Sequence, residues 1–381
     1  MTTPAIPEGR GTLMLIVTNR CNLNCVYCYE KHKSRAAMPL SVAQERIAAA
    51  LTTSPYAEVE ICIFGGEPFL EFETLRKICE WTWEREWQRH YRIYVNSNGT
   101  VLTDEIKAWL SRNRTRISVP LSVDGTKLSH DRNRSNSYDR IDLEYFRSTW
   151  PDQSVKMTIS PVSLDRLASD VIAVHGLGFY IQECNFAVGL DWSDEAHPAR
   201  LRRELELLCD FYLSHSEITP APILNVKIAS CENKRVYQKW CGAGRQLTTI
   251  DTDGVGYPCH FLTPMAFQKD DLDFLLGTDF TDIRKLVDQE CLESCYLYPL
   301  CPTCYAADFA ITGAVNRKNR TICELIKISA YYTAVLAGKR ILRTGIGDLG
   351  TDDRVLLYKK IHAIKKISEL YKDTERIGNL P

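Results

Sequence analysis

Residues 21–28 read CNLNCVYC and place three thiols, those of Cys21, Cys25 and Cys28, within eight positions. This segment follows the apolar residues Leu13–Val17, which predict a buried strand. Three crowded thiols do not pair off evenly into disulfides, and their thiolates would repel one another. A soft metal centre is therefore the simpler interpretation. Three protein ligands leave one position of such a centre open to another molecule.

The spacing C-x3-C-x2-C resembles the signature loop of the radical S-adenosylmethionine (SAM) enzymes. In that family, three cysteines hold a 4Fe-4S cluster and SAM chelates the fourth iron. The resemblance therefore implies a cluster on Cys21, Cys25 and Cys28, with SAM cleaved reductively to methionine and a 5′-deoxyadenosyl radical. The radical would remove hydrogen from a substrate carbon, while the protein supplies position and excludes water.

Composition excludes several other classes of protein. The chain has 381 residues, of which 45% are hydrophobic and 25% charged, as in soluble globular proteins of more than one domain. Its 47 basic and 48 acidic residues give a net charge of −1, so nucleic acid is not an expected partner. We find no signal-peptide pattern and no apolar run of about 18 residues, so we expect a cytoplasmic protein without a membrane partner.

The 15 cysteines are an odd number, and ten of them fall in two clusters. In a reducing compartment, such clusters indicate metal binding or catalysis rather than a disulfide framework. Four of the other five cysteines, Cys62, Cys79, Cys184 and Cys209, stand in apolar segments and are predicted to be ordinary core residues.

Short apolar segments alternate with longer amphipathic ones up to about residue 190. We predict strands over 13–18, 58–64, 92–95, 116–123, 155–160 and 181–188. Helices are predicted over 41–51, 71–91, 104–112 and 165–176, capped at Ser41, Asp104 and Asp165. Six β-then-α units imply a parallel α/β sheet, which the pattern alone leaves either open or closed. The radical SAM resemblance implies a partial (β/α)6 TIM barrel with its chemistry at the carboxyl ends of the strands.

Residues of unusual chemistry do follow the predicted strands: GGEP at 65–68, NSNG at 96–99 and SVDG at 122–125. Each segment alone is more often an ordinary turn, but their order behind the cysteine loop argues for a site. By resemblance, Gly65, Gly66 and Glu67 line the methionine end of SAM. The backbone of Gly66 would approach its ammonium group.

The same resemblance assigns further contacts to SAM. Tyr27 matches the position that meets the adenine, and Ser122 and Asp124 would face the ribose and methionine moieties. The segment HDRNR at 130–134 resembles the H-D-x-x-R segment of peptide- and sulfatase-modifying members. Its Arg134 would bind the SAM carboxylate through two parallel donors. Arg132 is expected to be an ordinary solvated residue.

A second group of cysteines begins at Cys241, with twelve residues between Cys241 and Gly254 and four between Gly254 and Cys259. Five more cysteines complete the group: Cys291, Cys295, Cys301, Cys304 and Cys323. The arrangement resembles the SPASM extension of radical SAM enzymes, whose pattern is C-x9-15-G-x4-C, a run of four cysteines and one final cysteine.

By this resemblance two auxiliary 4Fe-4S clusters interleave, which makes three clusters in the chain. One would be held by Cys291, Cys295, Cys301 and Cys323, and the other by Cys241, Cys259 and Cys304. The family run is usually C-x2-C-x5-C-x3-C, whereas here it reads C-x3-C-x5-C-x2-C, so the individual assignment stays open. The missing ligand is either Cys231 or an open position for a substrate thiolate. Two zinc sites are the alternative, because four thiolates suit either metal.

These resemblances imply four regions: a barrel over 1–205, a bridge over 206–240, a SPASM domain over 241–323 and a helical tail over 324–381. Members with both cysteine sets mostly modify peptides or proteins. The predicted function is therefore a maturase that forms an intramolecular thioether or carbon–carbon cross-link in a ribosomally made peptide. The alternatives are an anaerobic sulfatase-maturing enzyme that makes formylglycine, and a zinc-stabilised binding module without radical chemistry.

One position argues against sulfatase maturation. Sulfatase-maturing enzymes carry an aspartate base directly after the cysteine that matches Cys259, whereas this chain has His260. Histidine also accepts a proton near neutral pH, so His260 is a candidate base, with Asp251 and Asp253 as further candidates. Expected partners are a peptide or protein substrate and a reductant such as flavodoxin or ferredoxin. The 20 residues before Cys21 leave no room for an amino-terminal peptide-recognition domain of the winged-helix type. Leader recognition, if any, is therefore expected from the bridge, the tail or a separate protein.

Overall fold

A computed structural model describes residues 9–233, 239, 241–344 and 351–372 of the chain. Its first part contains seven strand segments: β1 (Arg10–Thr18), β2 (Glu58–Gly65), β3 (His90–Val95), β4 (Ile117–Ser118), β5 (Leu121–Ser122), β6 (Ser154–Ile159) and β7 (Tyr180–Phe186). All of their pairings are parallel. Buried apolar residues such as Leu15, Ile61 and Val155 fill the core beneath them.

The predicted strand 116–123 is divided into β4 and β5 around Pro120. Proline has no N–H to donate to a ladder, so it interrupts the strand at this point. A parallel bridge between Ser97 and Leu121 continues the order from β3 into the β5–β6–β7 sheet. The two segments thus occupy one strand position, and the predicted partial barrel of six parallel positions is confirmed.

Helices connect these strands: α1 (Leu40–Thr53), α2 (Phe72–Trp83), α3 (Asp104–Arg112), α4 (Lys127–Asn133), α5 (Leu143–Thr149) and α6 (Leu167–Gly176). The predicted helix 71–91 was too long. The chain leaves α2 after Trp83 and turns back, with the Trp87 indole N–H donating to the Thr82 carbonyl at 2.9 Å. Residues from His90 onward then pair with β2.

The three predicted helix caps were wrong. Thr103, rather than Asp104, caps α3 by accepting from the Ile106 N–H at 3.3 Å. Helix α1 follows Pro39 without a side-chain cap, and α6 begins at Leu167 after a 3-10 turn over Leu164–Arg166. A threonine hydroxyl can accept from the first helical N–H groups, as an aspartate carboxylate can, so adjacent Thr and Asp residues are alternative caps.

The cysteine-rich part, which we define as residues 241–323, joins the barrel through a hairpin of β8 (Leu247–Ile250) and β9 (Gly256–Tyr257). Strand β8 pairs in parallel with β1 on the side opposite β2, so the sheet order is β4-β3-β2-β1-β8-β9. A separate core that includes Phe261, Phe267 and Tyr305 lies behind the hairpin. The strand that leads into the first cysteine loop therefore also carries the second cysteine region.

The remaining described helices are α7 (His197–Ser214), α8 (Lys269–Leu276), α9 (Ile283–Leu286), α10 (Gln289–Glu293), α11 (Tyr305–Thr312), α12 (Arg320–Thr344) and α13 (Thr351–Tyr371). Helix α12 packs on α7, and α13 packs on α12 and on the 3-10 turn Ile228–Glu232. Within the described ranges, no helix combines the length and hydropathy that a membrane span needs.

Candidate functional site

The cysteine loop lies at the carboxyl end of β1 and is fixed through its main chain. The Asn24 N–H donates to the Ser135 hydroxyl and the Val26 N–H to the Asn133 carbonyl, both at 2.9 Å. The Lys33 ammonium donates to the Leu23 carbonyl at 2.9 Å. The segment after α4 and Lys33 thus hold the loop from two sides, which restrains the directions of its thiols.

The thiols of Cys21, Cys25 and Cys28 are free and partly buried. Burial is the largest cause that raises their pKa values, to about 11 for Cys21, and Lys33 acts in the opposite direction on all three. Thiols with raised pKa values are protonated near pH 7 and are poor free nucleophiles, whereas a bound metal centre would stabilise their thiolates. Three free thiols on one restrained loop fit the predicted 4Fe-4S cluster.

The GGEP segment forms the neighbouring wall. Gly65 has a φ of +143°, and a Cβ there would lie 2.3 Å from the Thr18 carbonyl oxygen. A Cβ on Gly66 would lie 2.2 Å from the Arg20 carbonyl oxygen. Both glycines are therefore required for the close approach of β2 to the end of β1. The predicted contact of Gly66 with SAM stays a prediction.

Glu67 is buried, with 1% of its surface exposed. Its carboxylate accepts from the Ser97 hydroxyl at 3.0 Å and from the N–H groups of Asn98 at 2.8 Å and Phe69 at 3.2 Å. Burial raises its pKa to about 7, while these hydrogen bonds act to lower it. Glu67 therefore positions the NSNG segment, a role that the sequence did not indicate.

Asp124, Arg134 and Tyr27 form one buried network. The Arg134 guanidinium donates to both carboxylate oxygens of Asp124, at 2.9 and 3.2 Å, and the Tyr27 hydroxyl donates at 2.5 Å. The Asp124 side chain is completely buried. The Asp124 carboxylate thus holds Arg134 and Tyr27 in place through hydrogen bonds. Both of these side chains line the cleft beside the cysteine loop.

His130 and Asn133 support this network and were missed as site residues. The Asp124 N–H donates to His130 Nδ1 at 3.4 Å, while His130 Nε2 lies 3.0 Å from the Ser137 hydroxyl. Burial lowers the His130 pKa to about 4, so the ring is neutral near pH 7. Asn133 donates to Asp124 at 3.2 Å. The HDRNR segment contains both residues and was recognised in the sequence, but only Arg134 of this segment was predicted to belong to the site.

A cleft of about 190 Å³ brings most of the predicted contacts for SAM and the first cluster together. Its walls include these predicted residues: Cys21, Cys25, Tyr27, Cys28, Gly65, Gly66, Glu67, Ser122 and Arg134. Asn96 and Asn98 also line the cleft, and the Asn96 side-chain oxygen is buried without a partner among the described residues. Such an acceptor indicates space for a ligand that donates a hydrogen bond.

The thiols of the second region form two groups. Cys291 lies within electrostatic range of Cys295, Cys301 and Cys323, and Cys259 lies within range of Cys241 and Cys304. This grouping agrees with the two sets that the resemblance implied, and their assignment to two clusters stays a prediction. Cys231 lies beside Cys295 and packs with it. The structure therefore does not place Cys231 with Cys241, Cys259 and Cys304, for which it was a predicted fourth ligand. The other four cysteines, Cys62, Cys79, Cys184 and Cys209, are buried as predicted.

The described residues contain no three His, Cys, Asp or Glu side chains close enough to hold a single metal ion.

His260 lies between the two cysteine regions. Its ring packs 5.1 Å from Phe64 and 5.6 Å from Tyr29 between ring centres. Its Nδ1 is buried with no hydrogen-bond partner among the described residues. Burial, reinforced by nearby Lys156, lowers its pKa to about 4. The ring is therefore neutral near pH 7, and its Nδ1 has no hydrogen bond among the described residues.

The other two candidate bases lie in the turn of the β8–β9 hairpin. Asp253 is exposed, and its carboxylate accepts from the Val255 N–H at 2.9 Å. Asp251 is buried at the start of the turn, with a pKa raised by burial. Both carboxylates accept from N–H groups within the turn, which is the ordinary use of aspartate in turns.

A larger cleft of about 590 Å³ shares Tyr27, Cys28 and Tyr29 with the cleft at the cysteine loop. One wall comes from the barrel loops 26–32 and 188–190, and the other from residues 261–271 and 309–313. Phe261, Phe267 and Phe309 supply an aromatic floor. The groove thus runs between the barrel and the cysteine-rich part and leads to the cysteine loop.

Residues 15–148 match the family model of the radical SAM superfamily. The chain carries a radical SAM domain. This superfamily indicates an enzyme that uses radical chemistry, with SAM and a 4Fe-4S cluster. The matched residues include the first cysteine loop (21–28), the glycine wall formed by Gly65 and Gly66, and the Asp124–Arg134 network.

Two of the curated relatives match about a third of this chain. The radical SAM cyclopropyl synthase TigE of Paramaledivibacter caminithermalis is 25% identical over 32% of this chain and 29% of its own length. The uncharacterized protein MJ0907 of Methanocaldococcus jannaschii is 30% identical over 32% of this chain and 41% of its own length. These matches therefore span less than half of either relative. The AdoMet-dependent heme synthase of Methanosarcina barkeri is 24% identical over 78% of this chain and 91% of its own length.

Solved structures share the fold over more of the chain. The anaerobic sulfatase maturase anSMEcpe, solved with bound AdoMet and a peptide, has 18% identity and a TM-score of 0.66 over 88% of this chain and 99% of its own. Streptococcus suis SuiB bound to its precursor peptide SuiA has 16% identity and a TM-score of 0.53 over 82% of this chain and 75% of its own. At these identities, the likeness shows the fold alone.

The thiol loop is tested by counting iron. We expect Cys25→Ala to lower the iron content of anaerobically purified protein by about four atoms per chain, because two thiols hold a cube poorly. The control Cys184→Ala removes a buried core thiol and should leave iron unchanged. Metal analysis and the EPR signal of the reduced protein measure the effect. Equal iron in both variants would contradict a cluster on this loop.

The role of Arg134 in the buried network is tested by removing its charge. Arg134→Met should weaken SAM binding about 10- to 100-fold, because a charge-assisted donor to the carboxylate is lost. It should also lower stability by about 3–5 kcal/mol, because Asp124 remains buried without its cation. Exposed Arg132→Met is the matched control and should change neither. Equilibrium SAM binding and thermal melting give the two readouts; unchanged SAM affinity in Arg134→Met would refute the assignment.

Proposed function

We propose that this radical SAM enzyme is a peptide maturase that forms an intramolecular thioether or carbon–carbon cross-link. The observation that carries the proposal is the continuous groove from the aromatic cleft to the cysteine loop. Its two walls belong to different parts of the fold, the barrel loops and the cysteine-rich part. Tyr27 and Tyr29 lie where the two clefts meet, so a side chain of the peptide could approach the cysteine loop there.

The chain's own residues supply binding, orientation and a proton acceptor. Cys21, Cys25 and Cys28 would hold the SAM-binding cluster, and the two thiol groups of the cysteine-rich part would hold the auxiliary clusters. When bound, these groups supply a 5′-deoxyadenosyl radical and one-electron transfer. Arg134 and the backbone around Gly66 would orient SAM. The aromatic floor of the larger cleft would orient the peptide and exclude water.

Forming one cross-link removes two hydrogens from the peptide. One leaves as a hydrogen atom to the 5′-deoxyadenosyl radical, and the other leaves as a proton and an electron when the new bond forms. We infer that His260 accepts the proton at Nδ1; the support is that the ring is neutral near pH 7 and that this nitrogen has no partner among the described residues. An electron acceptor of the iron–sulfur class completes the balance.

The substrate is tested with precursor peptides encoded beside the gene. Reduced enzyme, SAM and the matching precursor should give 5′-deoxyadenosine together with a peptide lighter by two hydrogen atoms per cross-link. Mass spectrometry with fragment analysis measures the product and locates the link. A scrambled precursor of the same composition is the control. Unmodified precursor alongside abundant 5′-deoxyadenosine would count against that peptide.

His260 is tested by separating SAM cleavage from product formation. His260→Asn keeps a polar side chain but no titratable ring, so 5′-deoxyadenosine should still form while the cross-linked product falls at least tenfold. In the wild type, product formation should stay level from pH 8 to pH 6, because the lowered pKa keeps the ring neutral. It should fall only as the pH approaches about 4. Asp253→Asn is the control in the hairpin turn, and equal product loss in both variants would contradict a role for His260.

Sulfatase maturation is the second candidate, favoured by the fold that this chain shares with anSMEcpe over most of its length. The same assay with a Cys-x-Pro-x-Arg peptide distinguishes it, because formylglycine would appear there without a cross-link. His260 in place of aspartate favours the cross-linking reaction. A zinc-stabilised binding module would give about two zinc ions per chain, rather than about twelve irons for three 4Fe-4S clusters.

A further inference from the structure

Each cysteine group has a lysine that is bound to its own loop. Lys33 donates to the carbonyl of Leu23, within the first cysteine loop. Lys239 donates to the carbonyls of Ala243, two residues after Cys241, and Phe280. Lys318 donates at 3.3 Å to the carbonyl of Pro302, between Cys301 and Cys304. The three lysines come from unrelated segments, yet each makes the same kind of contact.

Each of these ammonium groups also lies within electrostatic range of thiols. Lys33 acts on the three thiols of the first loop. Lys239 lies near Cys241 and Cys259, and Lys318 lies near Cys291, Cys301 and Cys323. Other lysines share this position, since Lys327 acts on Cys323, and Lys318 also acts on Cys304. Lys33, Lys239 and Lys318 differ in what they add to it, because each also donates a hydrogen bond to a main-chain carbonyl of a cysteine loop.

Lys318 gives the strongest evidence, because its side chain is only 4% exposed. The carboxylate nearest to it, Asp308, lies 3.9 Å away, which is a loose ion pair. A buried cation needs compensating negative charge, and neutral thiols supply none. Thiolates on an iron–sulfur cluster would supply it. The burial of Lys318 is therefore explained if the neighbouring cysteines are metal ligands.

A positive charge beside a cluster has a redox consequence. A 4Fe-4S cluster with cysteine ligands is anionic and gains one more negative charge when it is reduced. A nearby ammonium stabilises the reduced form more than the oxidised form, and this raises the reduction potential. Water screens the charge little at a buried position, so the effect is largest where the lysine is buried.

We propose that Lys33, Lys239 and Lys318 are positioning residues, each of which holds one cysteine loop and raises the reduction potential of the cluster on that loop. The proposal goes beyond the peptide reaction, because it concerns the reduction potentials of the clusters and not the substrate. It requires the clusters themselves, which iron analysis establishes separately from any assay of peptide modification.

The auxiliary clusters are tested in full-length protein with Cys25→Ala, which removes the signal of the first cluster. Lys318→Met and Lys239→Met remove the charge and keep the apolar stem. EPR-monitored redox titration should show a more negative potential for one auxiliary signal in Lys318→Met and for the other in Lys239→Met. Lys318→Arg and Lys239→Arg keep the charge and should stay near the parent values. Exposed Lys269→Met, in the same part of the chain, is the control.

Lys33 is tested in the chain with all its cysteines. The first cluster is recognised by the change of its EPR signal when SAM is added, and Lys33→Met should shift that signal alone to a more negative potential. Its arginine variant should restore the parent potential.

Four outcomes decide the proposal. A shift confined to the cluster of each lysine supports it, as does loss of one cluster's iron in the Met variant but not in the Arg variant. Unchanged potentials at full iron content overturn it. Iron loss in both variants also overturns it, because the charge is then irrelevant and the lysine serves only the fold.

Discussion

Strand β1 is the constraint on which the rest of the structure depends. It pairs with β2 on one side and with β8 on the other, and its carboxyl end becomes the three-thiol loop. The loop direction is fixed by Thr18 and Arg20, whose carbonyls are approached so closely by Gly65 and Gly66 that no side chain fits. A shift of β1 would therefore move the first cysteines, the glycine wall and the second cysteine region together.

Buried charge organises the site around this strand. Asp124 holds Arg134 and Tyr27, and Glu67 holds the segment that contains Ser97 and Asn98. These carboxylates cost desolvation energy, which their several hydrogen bonds offset. Their value lies in restraint, because each fixes polar groups at the wall of one cleft. A site that must place a ligand beside a reactive centre needs this precision.

Much of the fold was predictable, because a parallel barrel has a strong local signal. Apolar segments at regular spacing marked the strands, and the residues that followed them marked the end of the barrel where the site lies. The helix limits and caps were less predictable. The overlong helix at 71–91 ended early because Trp87 bonds back to Thr82, a contact that amphipathic periodicity does not contain. Proline at position 120 was visible in the sequence. That it divides one strand into β4 and β5 became clear only from the pairing of these segments with β3 and β6.

By itself, the sequence determined the chemistry that this protein carries: three thiols at fixed spacing, two glycines after a strand, and seven further cysteines in order. Thiol chemistry and glycine freedom are local properties, so their spacing is enough to indicate them. Only the tertiary structure decided which side chains meet. It placed Cys231 beside Cys295 and paired Asp124 with Arg134. It also packed His260 against Phe64 and Tyr29, where its Nδ1 is buried without a described partner. These contacts join residues tens to hundreds of positions apart, so they depend on how the barrel closes and on how β8 joins β1.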